Sequence, residues 1–154
     1  KMNHVMHSET AIGPLVETLT VDDLKSKAST TLPKGKKVYD LKLVLGGDME
    51  RYIWHINGKA IHEDRLININ EGDVVRFTFE NETMMHHPMH LHGHTFQMLN
   101  DKGELGARKD TLIVIPGQSV KIAIVADNPG YWPLHCHNTY HAEAGMANTF
   151  DYLN

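Results

Sequence analysis

The sequence predicts an all-β fold, an antiparallel Greek-key β-sandwich, on the basis of three observations. The chain has 154 residues, which is enough for one domain with a hydrophobic core and short for two. From about residue 36 onward, seven or more strand-like segments follow one another at roughly ten-residue spacing. No long stretch of this region has the 3.6-residue period of an amphipathic helix.

The predicted elements begin after an N-terminal arm. Residues 1–35 are polar and rich in Ser, Thr and Lys, so they are interpreted as a linker or surface arm with one short helical turn near residues 21–27. Strands are predicted where apolar and polar residues alternate, between turn signals such as Asn57-Gly58 and Pro116-Gly117. The predicted strands cover residues 39–45, 49–56, 65–69, 75–79, 111–115, 121–125 and 147–152. The domain proper is therefore expected to span residues 36–154.

Composition and charge indicate an ordinary globular domain. Apolar residues make up 41% of the chain and charged residues 22%. The net charge of −4 gives no reason to expect a nucleic acid or an anionic membrane surface as partner. No run approaches the roughly 18 apolar residues of a membrane span. The chain opens with Lys1, which fits either a removed signal or a piece of something longer.

Residue counts point to metal chemistry. The chain has 12 histidines, eight methionines and one cysteine. Because Cys136 has no cysteine partner within the chain, it is a core thiol, a reactive thiol or a metal ligand. Methionine serves either as pliable core filler or as a thioether ligand for copper(I).

Two motifs contain most of these residues. The first is His-Pro-Met-His-Leu-His-Gly-His at residues 87–94, and the second is His-Cys-His at residues 135–137, followed by His141 and Met146. Side chains alternate between the two faces of a strand. His135 and His137 would then point to one face and Cys136 to the other, so the triplet could serve two metal sites at once.

The first of these sites has the ligand set of a blue copper centre. Cys136, His141 and Met146 are spaced so that a loop could fold back on one ion. His87, whose conformation is restricted by the proline that follows it, is the natural fourth member. Two imidazoles, a thiolate and a weak axial thioether form the trigonal site of electron-transfer copper proteins. A structural zinc site also uses Cys and His, but it would explain neither Met146 nor the two-faced triplet.

The second site would lie on the opposite face. His90 and His92 are two residues apart, as are His135 and His137, so each pair projects to one face of its strand. Four imidazoles from two strands make half a cage for a cluster of copper ions that binds oxygen. His94 lies two residues after His92 and would point to the same face, but it is not among the expected ligands.

At these residues the sequence resembles the C-terminal cupredoxin domain of multicopper oxidases. That family has the pattern His-Pro-x-His-Leu-His-Gly followed by His-Cys-His-x₃-His-x₄-Met, and both stand here in full. The resemblance covers about residues 36–154, including Gly-Tyr-Trp at 130–132 and Lys-Asp-Thr at 109–111. Met-Met at 84–85 and Met-Glu-Arg-Tyr at 49–52 look most like the periplasmic copper-resistance branch.

The resemblance implies a function and a role for each ligand. Electrons from a copper(I) or phenolic reductant would pass from a type 1 copper through the His-Cys-His triplet to a trinuclear cluster, where O2 is reduced to water. The resemblance also implies a cupredoxin fold and a periplasmic or secreted location. The implied ligands are His87, Cys136, His141 and Met146 for type 1 copper, His90 for type 2 copper, and His92, His135 and His137 for the type 3 pair.

The sequence departs from the family in one respect. The complete cluster takes two further His-x-His pairs from an N-terminal domain, and the remaining histidines supply none: His4, His7, His55, His62, His86 and His94. The chain is therefore expected to be one domain of a longer oxidase, or to assemble with an N-terminal cupredoxin domain of another chain. A stand-alone one-copper electron carrier and a copper-buffering domain are the alternatives. The His and Met residues at 4–7 and 84–86 are either copper(I) contacts or incidental.

Overall fold

The computed structural model describes residues 19–28, 31–32, 37–60, 63 and 66–153. Most of the predicted arm, and with it His4, His7 and His62, lies outside the described residues. Within them, a 3₁₀ helix spans Val21–Asp23, which places one short turn in the predicted helical segment. The strands and the α-helix that follow are β1 (Val38–Asp48), β2 (Ile53–Ile56), β3 (Leu66–Asn70), β4 (Val74–Asn81), β5 (His87–Leu91), β6 (Phe96–Leu99), β7 (Leu105–Lys109), β8 (Thr111–Val114), β9 (Ser119–Val125), β10 (Tyr131–Cys136), α1 (Thr139–Glu143) and β11 (Ala147–Leu153).

The strands form two sheets, which confirms the predicted all-β sandwich. The six-stranded sheet has the order β2-β1-β4-β9-β6-β7, and the five-stranded sheet has the order β3-β11-β10-β5-β8. Most neighbours are antiparallel, but β1 pairs with β4 and β3 pairs with β11 in parallel. A purely antiparallel arrangement is therefore wrong. Parallel neighbours need a crossover connection, and the chain between β1 and β4 supplies one by passing through β3 in the other sheet.

The core lies between the two sheets. Phe77 on β4 stacks on Phe150 on β11, with 5.2 Å between ring centroids, so these two buried rings join the sheets directly. Around them pack fully buried residues from both inner faces, including Leu43, Phe79, Leu91, Ile122 and Leu134. Burial of apolar surface at about 25 cal/mol per Å² is the main force that holds such a sandwich together.

Three local features differ from the prediction. The predicted strand 49–56 is confined to β2, because the carboxylate of Asp48 accepts backbone N–H groups of Glu50 and Arg51 and Tyr52 takes a positive φ of 54°. Strands β6 and β7 were not expected, since β6 is buried along most of its length and shows no alternation. Helix α1 was not expected either; Asn138 is its N-cap, and the Asn138 side chain accepts the N–H of Tyr140. No helix in the described part of the chain has the length and apolar character needed to cross a bilayer.

Candidate metal centre

Two neighbouring strands and one short helix bring the motif residues together. Strand β5 pairs antiparallel with β10, with His90 opposite His135 and Met89 opposite Cys136. After β10, helix α1 contains His141 and leads into Met146. The N–H of Met146 donates to the carbonyl of His141 at 2.9 Å, and the N–H of Cys136 donates to the carbonyl of Met146 at 3.1 Å. The loop predicted from spacing therefore folds back on Cys136.

Three donor atoms converge inside the domain. The Sγ of Cys136 lies 3.7 Å from the Nδ1 of His87 and 3.7 Å from the Nδ1 of His141, and the two nitrogens are 3.1 Å apart. All three residues are buried, with at most 1% of their surface exposed, and Met146 is fully buried beside them. A thiol, two imidazoles and a neighbouring thioether fit the ligand set of a blue copper ion.

The far nitrogen of each imidazole also has a partner. The Nε2 of His87 is 2.7 Å from the hydroxyl of Thr83, and the Nε2 of His141 is 3.3 Å from the amide nitrogen of Asn138. A hydroxyl such as that of Thr83 can accept a ring N–H and so orient a metal-ligating imidazole, whereas the amide nitrogen of Asn138 can only donate to His141. On another side, the ring of Trp54 contacts both imidazoles. The Nδ1 atoms are thereby held toward the thiol.

Burial keeps this group uncharged while no metal is bound. Burial, together with the nearby His141, lowers the pKa of His87 to about 4. Burial also lowers the pKa of His141 and raises the pKa of the Cys136 thiol to about 11. The imidazoles are therefore neutral near pH 7 and can offer lone pairs, and the thiol must give up its proton to bind a metal ion.

The opposite side of β10 and β5 carries four imidazoles. The backbone pairing continues past the strand ends, because the N–H of His92 donates to the carbonyl of Pro133 and that of His137 to the carbonyl of Pro88. The alternation of side chains therefore extends to both residues. Ring centroids of His90 lie 4.7 Å from His92, 5.7 Å from His135 and 5.6 Å from His137.

Hydrogen bonds orient two of these four rings. The Nδ1 of His90 lies 2.8 Å from the carbonyl of Asp110, and the Nδ1 of His135 lies 3.0 Å from the carbonyl of Cys136. The Nε2 of His135 is 3.0 Å from the Nε2 of His92. Partial desolvation, followed by the charges of His90, His135 and His137, lowers the pKa of His92. His92 and His137 are exposed, so this group is open to solvent on one side.

The other histidines have different surroundings. The Nδ1 of His94 is 3.0 Å from the carbonyl of His92, and its Nε2 is 2.6 Å from the hydroxyl of Tyr152. Its ring therefore lies apart from the four imidazoles. The Nδ1 of His55 accepts the N–H of Gly58 at 3.2 Å, and His86 is exposed.

Sequence reasoning missed three residues that surround the buried group: Thr83, Asn138 and Trp54. Asn138 could have been found as a helix cap after the triplet, since Asn is favoured at that position. Trp54 stands in no spacing relation to the motifs, and only the packing of the sheets brings it to the site. Thr83 lies four residues before His87, but a lone threonine in a turn gives no signal of a contact with the imidazole.

Comparisons with known proteins agree with this geometry. A family model described as multicopper oxidase matches residues 33–154. The chain is 46% identical over 134 residues to multicopper oxidase MmcO of Mycobacterium tuberculosis, covering 87% of this chain and 27% of that protein. It is 37% identical over 131 residues to copper resistance protein A of Escherichia coli, covering 84% of this chain and 21% of that protein.

Solved structures give the same result. The fold matches McoA multicopper oxidase of Aquifex aeolicus with a TM-score of 0.69 and 31% identity, covering 84% of this chain and 32% of that one. The chain thus spans only about a fifth to a third of the length of these proteins. The family model matches most of the chain, and the donor atoms of His87, Cys136 and His141 form a buried group. The chain therefore belongs to the multicopper oxidase family.

Proposed function

We propose that residues 36–154 form a cupredoxin domain of a multicopper oxidase, holding the type 1 copper and half of the ligands of a trinuclear copper cluster. One observation carries this proposal. The Sγ of Cys136 belongs to a buried group with His87 and His141, while the imidazoles of His135 and His137 lie on the other side of the same strand. One peptide link on either side of Cys136 therefore separates two potential metal sites.

The buried group would hold the type 1 copper. His87 and His141 would offer their Nδ1 lone pairs, Cys136 its thiolate and Met146 a weak axial thioether. Full burial of these residues excludes water from the site. Copper bound here would supply one-electron redox chemistry, accepting electrons from a reductant for the reduction of O2 to water at the cluster.

The open group would supply the cluster ligands of this domain. His90 would bind type 2 copper, and His92, His135 and His137 would bind the type 3 pair. Because Cys136 is bonded through the backbone to both His135 and His137, the triplet forms a short covalent relay between the two sites. An N-terminal cupredoxin domain, of the same or another chain, would cover the open side and supply the missing histidines.

Copper(I) or a phenolic compound is proposed as the reductant. The relation to proteins named for copper resistance supports copper(I). A periplasmic or secreted location is proposed with it, since an oxidase of this kind works where copper and O2 meet outside the cytoplasm.

Copper loading tests the proposal. The chain is titrated with copper(II), and copper per chain, visible absorption and O2 consumption are measured for the wild type and for Cys136→Ser. We expect one tightly held copper with an intense blue band, no O2 uptake, and loss of the band in the variant. A wild type without the band would overturn the assignment of Cys136. Several coppers per chain with O2 uptake would show that copies of the chain share cluster ligands.

A second candidate is a stand-alone one-copper electron carrier. It is favoured by the fact that, among the described residues, the donor atoms of His87, Cys136 and His141 converge as one group, whereas the imidazoles of the open group form no such group of three. His137→Ala, measured after the chain is joined to an N-terminal domain of a relative, separates the two. If the chain is part of an oxidase, His137→Ala abolishes O2 turnover and keeps the blue band. If the chain is an electron carrier, His137→Ala changes neither the O2 uptake nor the blue band.

A further inference from the structure

A buried polar pair lies directly behind His87, and the proposed function does not use it. Asn81 is the last residue of β4, and Thr83 follows in the loop that leads to β5. The hydroxyl of Thr83 is 2.7 Å from the Nε2 of His87 and 2.8 Å from the side-chain oxygen of Asn81. Asn81 is 3% exposed and Thr83 is 9% exposed. Two polar side chains at this depth require complete hydrogen bonding.

The amide of Asn81 has only one orientation that satisfies its surroundings. Its Nδ2 donates to the carbonyl of Met85 at 2.7 Å and to the carbonyl of Val114 at 2.9 Å. Two carbonyl acceptors on one side require the amide nitrogen there, so the Oδ1 must face Thr83. This oxygen also accepts the backbone N–H of Thr83 at 2.9 Å. Because Val114 belongs to β8, Asn81 links the two sheets at this point.

The orientation of Asn81 decides where the hydroxyl proton of Thr83 goes. The Oδ1 of Asn81 and the carbonyl of Met85, at 3.2 Å, can only accept hydrogen bonds, so the hydroxyl donates to oxygen. The hydroxyl oxygen is then left as an acceptor, and the N–H of Met85 donates to it at 3.1 Å. Its remaining lone pair faces the Nε2 of His87, which must therefore carry the proton of the neutral ring.

We propose that Asn81 and Thr83 are positioning residues that hold His87 as the Nε2–H tautomer, with the Nδ1 lone pair directed at the Sγ of Cys136. This proposal rests on the proposed function only where copper is concerned, since the tautomer is a property of the copper-free protein. In the loaded protein, the hydrogen bond from Nε2–H to the Thr83 hydroxyl makes the imidazole a more basic ligand. A more basic ligand favours copper(II) over copper(I), so the Asn81–Thr83 pair lowers the reduction potential of the site.

Nitrogen-15 NMR of the copper-free wild type tests the tautomer without any substitution. The full chain is labelled at the histidine ring nitrogens at pH 7, and His87 is assigned by its loss in His87→Gln. We expect a protonated Nε2 and an unprotonated Nδ1 for His87. A protonated Nδ1, or an even mixture of both tautomers, would overturn the proposal.

Thr83→Val and Thr83→Ser test the effect on copper. Valine keeps the shape and removes the hydroxyl, whereas serine keeps the hydroxyl and loses a methyl group. We expect Thr83→Val to weaken copper(II) binding about 10–100-fold, to raise the potential and to mix the tautomers of His87. Thr83→Ser should stay close to the wild type in all three measurements.

The outcomes distinguish the two proposals. If Thr83→Val and Thr83→Ser have the same His87 tautomer and the same reduction potential, the positioning role of Thr83 is overturned. If Thr83→Val fails to fold, the wild-type NMR measurement still decides the tautomer. A wild type with the expected tautomer but no blue copper band would refute the type 1 assignment and leave the orientation of His87 by Thr83 intact.

Discussion

The indole ring of Trp54 lies against the imidazole ring of His141, with 4.2 Å between ring centroids and 35° between ring planes. The same indole meets the ring of His87 nearly edge-on at 5.2 Å. Trp54 is fully buried on β2, and its backbone N–H donates to the carbonyl of Ala144 just after α1. One aromatic side chain of the six-stranded sheet therefore packs against both imidazoles of the buried donor group.

Trp54→Ala is expected to destabilise the copper-free protein by about 3–5 kcal/mol, because it opens a cavity beside His87 and His141. Trp54→Phe should cost less, since it keeps an aromatic wall. Urea denaturation measures both. Tyr140→Ala is the control, because this tyrosine on α1 is 73% exposed and its loss should change stability by only about 0.5 kcal/mol. A Trp54→Ala variant as stable as the control would show that the indole does not support the site.

Gly93→Ala tests the turn that follows His92. Gly93 has a φ of 70°, and a Cβ added there would come within 2.3 Å of the ring of Trp132. Gly117 has nearly the same φ, 71°, but an added Cβ would meet nothing within 4 Å. Gly117→Ala should therefore cost only the left-handed strain of about 1–2 kcal/mol. Gly93→Ala should cost more and should shift the ring NMR signal of His92. Equal losses of unfolding free energy would contradict the steric argument.

Met146→Leu tests the proposed axial ligand. The substitution nearly conserves volume, so the fold should persist with a cost below about 1.5 kcal/mol. Removal of the thioether should leave the blue band in place and raise the reduction potential of the copper-loaded chain, since the axial ligand tunes that potential. Met98→Leu, at a buried methionine on β6, should leave the potential unchanged. If Met146→Leu also leaves it unchanged, Met146 is not an axial ligand.

The copper-free protein is expected to lose stability at both acid and alkaline pH. The pKa of His87 falls from 6.5 to about 4 on burial, so between these values the unfolded chain binds a proton that the folded chain does not. The free energy of unfolding should therefore fall as the pH drops from 6.5 to 4, at up to about 1.4 kcal/mol per pH unit. The lowered pKa of His141 acts in the same direction.

The loss of stability at alkaline pH has the opposite origin, because here the folded chain keeps a proton that the unfolded chain has released. The pKa of Cys136 rises from 9.0 to about 11 on burial, so the unfolded thiol ionises first and stability should fall as the pH rises from 9 to 11. Urea denaturation across this range measures both branches. Cys136→Ala should weaken the alkaline branch and leave the acid branch in place; part of the alkaline branch should remain, because burial also raises the pKa of Tyr152. An alkaline branch of unchanged size in this variant would show that Cys136 does not contribute to it.

The sequence-based prediction succeeded where the geometry is local. Cys136 and its flanking histidines lie on opposite sides because side chains alternate along β10, and this alternation follows from the backbone alone. The return of Met146 to Cys136 followed from spacing within one loop. The short strand β6 escaped prediction because its residues are buried on both faces and show no alternation.

The sequence by itself therefore determined the sandwich class, the two motifs and the side of the strand to which each motif residue points. Tertiary structure alone decided the parallel pairs β1–β4 and β3–β11, the covering of His141 by Trp54 and the hydrogen bond from Asn81 to the carbonyl of Val114. The physical reason is the range of the interactions. Alternation and turn formation are set within a few neighbouring residues, whereas contacts between sheets depend on how the whole chain closes.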